Sequence, residues 1–256
     1  MAVRFFHSNH VFLAENWLFF QLLACFVALL LFFHFWGKKG LLTYVLLATL
    51  AANLQVLKVA LVANGTLQMA QGTLVFCSVF WAFDLLVEHY GAKEAVQVLW
   101  LSFIAPVVFV AWMLLTIVLP PAPYAENLTV QQAMEVLFWP SPRLLTASLL
   151  AFFLSQGIDI CVFQRLKKRF KGRFLGFRGL LSTVIGTCID HVAFSYLAWR
   201  LLASQPLSWQ LLCEAYLFTG YGLRLALTAG SPLVLYAARA LTSRRSSTHK
   251  EPSASS

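Results

Sequence analysis

Seven apolar stretches, at about 17–36, 41–63, 70–90, 95–119, 144–164, 179–201 and 209–239, take up most of this chain. Each is close to the ~20 residues that an α-helix needs to cross ~30 Å of hydrocarbon. Lipid offers no partners to backbone N–H and C=O groups, so a spanning segment must be a helix or a strand of a closed barrel. The polar–apolar alternation of a barrel strand is missing here. The pattern predicts an all-α integral membrane protein, a bundle of six to seven transmembrane helices. Composition agrees: 11% of the 256 residues are charged, against roughly a quarter in soluble domains. Five cysteines, an odd number, all within apolar runs, exclude a disulfide-framed secreted domain and show no metal-ligand spacing. No cofactor is expected. The 17–36 stretch has no basic leader and no small-residue cleavage site, so it reads as a helix and not as a removed signal peptide.

The basic residues set an orientation. Fourteen Lys and Arg fall on one side of the stretches, most of them in 165–178 and after Arg239, and three (Arg4, Arg143, Arg200) on the other. The side richer in Lys and Arg faces the cytoplasm. This predicts the N-terminus outside, the C-terminus cytoplasmic, and a multi-pass protein of the inner (cytoplasmic) membrane. The net charge of +9 therefore reads as topology and not as a nucleic-acid footprint. Three parts are expected: an N-terminal segment 1–16, one transmembrane domain 17–240, and a Ser-rich, disordered cytoplasmic tail 241–256. The Pro-rich outer loop 120–143 has room for a short amphipathic helix around 128–139.

Ionisable residues inside apolar stretches mark function, because each costs about 2.5–3.5 kcal/mol at mid-membrane. Those here are Lys58, Asp84, Glu88, Asp159, Asp190, Glu214 and Arg224, with Asn53, Gln55, Gln156 and Ser182–Thr183 beside them. Asp84 and Glu88, four apart, share a helix face. Asp190 falls near mid-span, where it needs a cation such as Lys58 or Arg224. The competing readings are structural: Glu88 reaching water at the cytoplasmic end, Asp159 bonding the neighbouring basic loop, Glu214 at the interface, and Asp190 in a purely structural ion pair.

Four stretches resemble one family. They are Ala52-Asn53-Leu54-Gln55-Val56-Leu57-Lys58 with Gly65 and Gly72-Thr73; Asp84 to Ala95; Arg143, Ala147-Ser148, Ser155-Gln156, Asp159 and Phe163; and Arg178, Ser182-Thr183, Asp190 and Phe194. In this order the chain is similar to the queuosine precursor transporters, also called the vitamin uptake transporter family, from about Asn16 to Arg239. The resemblance implies uptake of 7-deazaguanine bases (preQ0, preQ1 or queuine) for insertion into tRNA. Four positions depart from the family's usual pattern: Gly186-Thr187 in place of Ser-Gln, His191 in place of Thr, and Arg224 in place of Lys.

The residues suit that substrate. A deazaguanine offers N1–H and an exocyclic amine as donors, which one carboxylate can accept together. It offers O6 as an acceptor for amides. Asp84, Glu88, Asp159 and Asp190 are the candidate carboxylates, Asn53, Gln55 and Gln156 the amides, and Lys58 and Arg224 the counter-charges. The expected partners are a small-molecule base and membrane lipid, with no nucleic acid; oligomeric state and any energy-coupling partner stay open. The alternative is the substrate-binding membrane subunit of a larger energised complex, since no P-loop is present. An intramembrane enzyme is not expected: the chain has no Gly-x-Gly-Asp, Gly-x-Ser-x-Gly or His-Glu-x-x-His motif.

Overall fold

The structure, a computed structural model, describes residues 2–62, 67–139, 141–203, 206, 208–211 and 219–248. Helix α1 spans Ala2–Gln55 but reverses direction at Gly37, whose φ of 56° and ψ of −124° lie outside helical space. Only glycine adopts such a conformation at low cost. The Tyr44 hydroxyl donates to the Cys25 carbonyl at 3.2 Å, and Gln21 Nε2 donates to Gln55 Oε1 at 3.2 Å. In a straight helix Gln21 and Gln55 would stand about 50 Å apart. The two arms therefore lie antiparallel.

The second arm ends at Gln55, eight residues short of the expected 63. There follows a two-stranded antiparallel hairpin, β1 (Val59–Val62) and β2 (Leu67–Ala70), with Val59 opposite Ala70. The chain has Asn64-Gly65 between the strands, the dipeptide most favoured in tight hairpins. Apolar β-branched residues feed a strand as readily as a helix, so hydropathy alone could not separate the two.

The remaining elements are α2 (Gly72–His89), α3 (Ala92–Val118), α4 (Ala125–Phe138), α5 (Ser141–Arg169), α6 (Leu175–Tyr196, continued by a π-helical turn Leu197–Leu201), α7 (Trp209–Leu211), α8 (Thr219–Thr228) and α9 (Ser231–Thr248). Among the described residues six helices are long and apolar enough to cross a membrane; the reversal in α1 turns the first into two arms. The expected all-α bundle is thus present, with the hairpin as its one addition among the described residues. Short helix α4 occupies the Pro-rich loop 120–143, where Gln131 Nε2 donates to the last turn of α3 at Ile117 O.

Two expectations need correction. The stretch read as one segment, 209–239, is broken at Ala229–Gly230, between α8 and α9. The tail expected to be disordered from 241 continues α9 to Thr248. Thr242 and Ser243 bond their hydroxyls back to carbonyls three and four residues earlier, so these polar side chains do not end the helix. Residues 249–256 and Glu214 lie outside the described residues.

The packing is inside-out relative to a soluble protein. Trp17, Phe19, Phe35, Trp112 and Leu115 are exposed, whereas Asp84, Gln156, Asp159 and Asp190 are buried. Helix α2 is central, with every residue from Gly72 to Val87 buried. Close approach depends on glycine: a Cβ at Gly40 would lie 1.9 Å from the Phe32 carbonyl oxygen across the α1 reversal. Gly40→Ala should therefore destabilise the protein by about 1–3 kcal/mol through overpacking. Gly157→Ala, where nothing lies within 4 Å, should be neutral or stabilising by up to about 1 kcal/mol. Thermal unfolding of the two variants in detergent checks the contrast.

Candidate functional site

Three helix faces line up their polar residues. On α6 these are Gly179, Ser182, Thr183, Gly186 and Asp190; on α5, Ser148, Ser155, Gln156 and Asp159; on α2, Thr73, Asp84 and Glu88. Spacings of three, four, seven and eleven keep each set on one side of its helix. Together they form a polar file through the bundle, from the hairpin end to the end that carries Gly37 and the basic loop.

The first layer, toward the hairpin, is a cavity lined by Ala52, Asn53, Val56, Gly72, Thr73, Phe76, Ser148, Asp190, Phe194 and Arg224. Its atom-free space is about 390 Å³, part of which is open to the outside. Asp190 and Arg224 form an ion pair across it, and Ser155 Oγ lies 3.4 Å from the other Asp190 oxygen. Phe76 is held edge-to-face against Phe80 and Phe152. Asn53 donates to the Thr49 carbonyl at 2.8 Å and faces the cavity. Gly72 lets α2 approach α1, since a Cβ there would lie 2.3 Å from Ala52 O. Gln156, next to Ser155, is fully buried, and neither atom of its amide is bonded among the described residues. His191 stacks on Tyr221 with ring centroids 5.9 Å apart.

The second layer holds Asp84 and Asp159. Asp84 accepts from Ser182 at 3.2 Å, Thr183 at 3.0 Å and Ser231 at 2.7 Å. Ser231 opens α9, so Asp84 also meets the positive end of a helix dipole. Ser182 lies beside both carboxyls but bonds Asp84, and among the described residues no donor bonds either oxygen of Asp159. Gly186 allows this depth: a Cβ would stand 2.8 Å from the Phe80 ring and 3.0 Å from the Asp159 Cβ.

The third layer closes the basic end. Glu88 pairs with Arg178 at 3.1 Å and Lys167 at 3.3 Å. Arg178 is fully buried, lies over the Phe163 ring and donates to the Gly172 carbonyl. Lys167 also donates to the Val87 and Glu88 carbonyls, at the last turn of α2. These bonds tie α2, α5 and α6 together at one end.

The sequence-derived candidates therefore separate. Asn53, Asp190 and Arg224 line one cavity, Gln156 follows it, and Asp84 and Asp159 lie one layer deeper. Glu88 belongs to the end cluster. Gln55 is bonded to Gln21, and Lys58 is exposed at the hairpin base; neither lines the cavity. Asp159 faces the interior and Asp84, not the basic loop. Sequence reasoning missed Ser231 and Arg178. Arg178 was one of the fourteen charges counted toward topology, and its place at the head of the fourth family-like stretch was the available signal.

A file of buried carboxylates and amides inside an apolar bundle defines a multi-pass membrane transporter. The family described as "Putative vitamin uptake transporter" matches residues 70–238. A curated protein of Bacillus subtilis (strain 168), named "Probable queuosine precursor transporter", is 33% identical over 184 residues, covering 72% of this chain and 78% of its own. The chain belongs to this vitamin uptake transporter family. No solved structure matches it.

Arg178 is fully buried and donates to Glu88 and to the Gly172 carbonyl, and a buried hydrogen bond to a charged group is worth about 1.5–3 kcal/mol. Arg178→Leu should lower stability by about that amount. Lys167→Ala, at a half-exposed pair, should cost about 1 kcal/mol or less. Detergent unfolding midpoints separate the two.

Proposed function

We propose that this protein imports queuosine precursors, 7-deazaguanine bases such as preQ0, preQ1 or queuine, across the inner membrane for tRNA modification. Its N-terminus is outside and its C-terminus cytoplasmic, as the basic residues require. The observation that carries the substrate assignment is the cavity, where a carboxylate, a guanidinium, an amide and two phenyl rings converge. Asp190 accepts N1–H and the exocyclic amine, and Arg224 and Asn53 serve the acceptor edge. Phe76 or Phe194 stacks on the ring. Gln156 supplies the next amide along the file. The name of the Bacillus subtilis relative supports the same substrate class.

The Asp190–Arg224 pair has a second consequence. A base that offers donors to the carboxylate and an acceptor to the guanidinium replaces the pair's mutual bonds with its own. Apolar analogues cannot, and leave two buried charges unpaired. The cavity is tight around the pair, so a two-ring base enters only as the surrounding side chains part. Alternating exposure of a mid-membrane site between helices is the general mode of such transporters.

The test is the queuosine content of tRNA in cells that neither make nor import the precursors. Each base is fed at low concentration, with and without this chain. Queuosine is expected only where the chain is expressed, and the base that restores it names the substrate. Asp190→Asn and Arg224→Ala should each cut uptake by about tenfold or more, the loss expected when a site's buried polar groups go unmatched, at unchanged membrane level. Wild-type uptake by both variants would remove the cavity from the mechanism. Uptake by the chain expressed alone also sets aside the binding-subunit alternative.

A further inference from the structure

Base recognition at the cavity leaves the layer of Asp84 and Asp159 without a task, and among the described residues neither carboxyl has an ion-pair partner. Arg224 is taken by Asp190, and Arg178 and Lys167 by Glu88. Asp84 is surrounded by three hydroxyls and the first turn of α9. Asp159 is 1% exposed, faces Asp84, and has no bonded donor among the described residues. A carboxylate so far from water persists only with compensation.

We infer that Asp84, Asp159 and the hydroxyls of Ser182, Thr183 and Ser231 form a binding site for one sodium ion. The donors are all oxygens, which suits a hard cation. A hydroxyl carries one proton and two lone pairs, so Ser182, Thr183 and Ser231 can donate to Asp84 and still ligate an ion. Asp84 already accepts from three donors, so Asp159 is the carboxyl that an ion would complete. Two glycines let these groups come close together. A Cβ at Gly179 would stand 3.2 Å from Asp84 Oδ2 and 2.8 Å from Ser231 Oγ, and one at Gly186 would stand 3.0 Å from the Asp159 Cβ. The role as coupling ion rests on the transport reading above; binding itself does not.

The test uses purified full-length protein in detergent with no base added. Sodium chloride is titrated against choline chloride at constant ionic strength, with thermal unfolding and radiolabelled sodium binding as readouts. Sodium should raise the unfolding temperature saturably, and choline should not. Asp159→Asn and Ser231→Ala should each weaken sodium binding by about tenfold or more, the effect of losing one ligand worth about 1.4 kcal/mol. Ser231→Ala keeps both carboxylates and covers the case in which Asp159→Asn fails to fold. Asp190→Asn, in the cavity, should keep sodium binding while losing the base. Identical curves in the two salts overturn the site, as does stabilisation that follows pH alone, or sodium binding retained by both Asp159→Asn and Ser231→Ala. Base uptake without any sodium effect removes the ion and leaves the transporter; sodium binding without base uptake does the reverse.

Discussion

Four carboxylates sit inside a bundle whose outer surface is built for hydrocarbon, and the arrangement of the helices follows from how each is compensated. Asp190 draws α8 onto α6 through Arg224. Glu88 draws the end of α5 and the start of α6 onto α2 through Lys167 and Arg178. Asp84 gathers α6 and α9 through three hydroxyls. Lipid gives no driving force for apolar faces to meet, so packing and interhelical polar bonds hold such bundles together. Here the bonds that hold the bundle are also the bonds that make its polar file. Stability and transport are therefore linked at the same residues, and a substitution there is expected to disturb both.

The file also depends on what is missing from the helices. Gly72 stands where α2 meets α1, and Gly179 and Gly186 where α6 meets α9, α2 and α5, and a Cβ at any of them would meet a neighbour at 3 Å or less. Small residues at crossing points let backbones approach and bring short side chains such as Ser and Asp within bonding distance. The reach of Ser182, Thr183 and Ser231 to one carboxylate is a result of that closeness. Longer residues at the crossings would have required longer polar side chains to bridge the gap, at a greater entropy cost.

The helical bundle was legible because hydropathy acts on every residue of a span and is a sum over about twenty of them. Asp190 was legible as a residue needing a cation, and Arg224 was one of the two candidates named; nothing local distinguished it from Lys58. The structure separates them by register: Lys58 falls past the end of α1, at the hairpin, and Arg224 on α8 opposite α6. The helix break at Ala229–Gly230 was not legible, because a two-residue interruption barely alters a twenty-residue average. Ser231 was hidden with it, since an isolated serine in an apolar stretch usually bonds its own helix. Arg178 was hidden for another reason. A basic residue beside a basic loop reads as part of the loop, and only packing shows that it turns inward to Glu88.

The β1–β2 hairpin measures the membrane. Among lipid chains, the outer edge of a two-stranded sheet would leave N–H and C=O groups without partners. The hairpin therefore sits at the level of the headgroups or beyond. The second arm of α1 runs from Gly37 to that level in eighteen residues, 38–55, or about 27 Å at 1.5 Å per residue. The arm's exposed Leu47 and Leu54 face the lipid over this span. Helices α3 and α5, with 27 and 29 residues, are about 40 Å or longer, so they must lean or project into water at their ends. The protein is thus matched to a thin hydrocarbon layer, and bilayers of graded acyl length should support it best near that thickness.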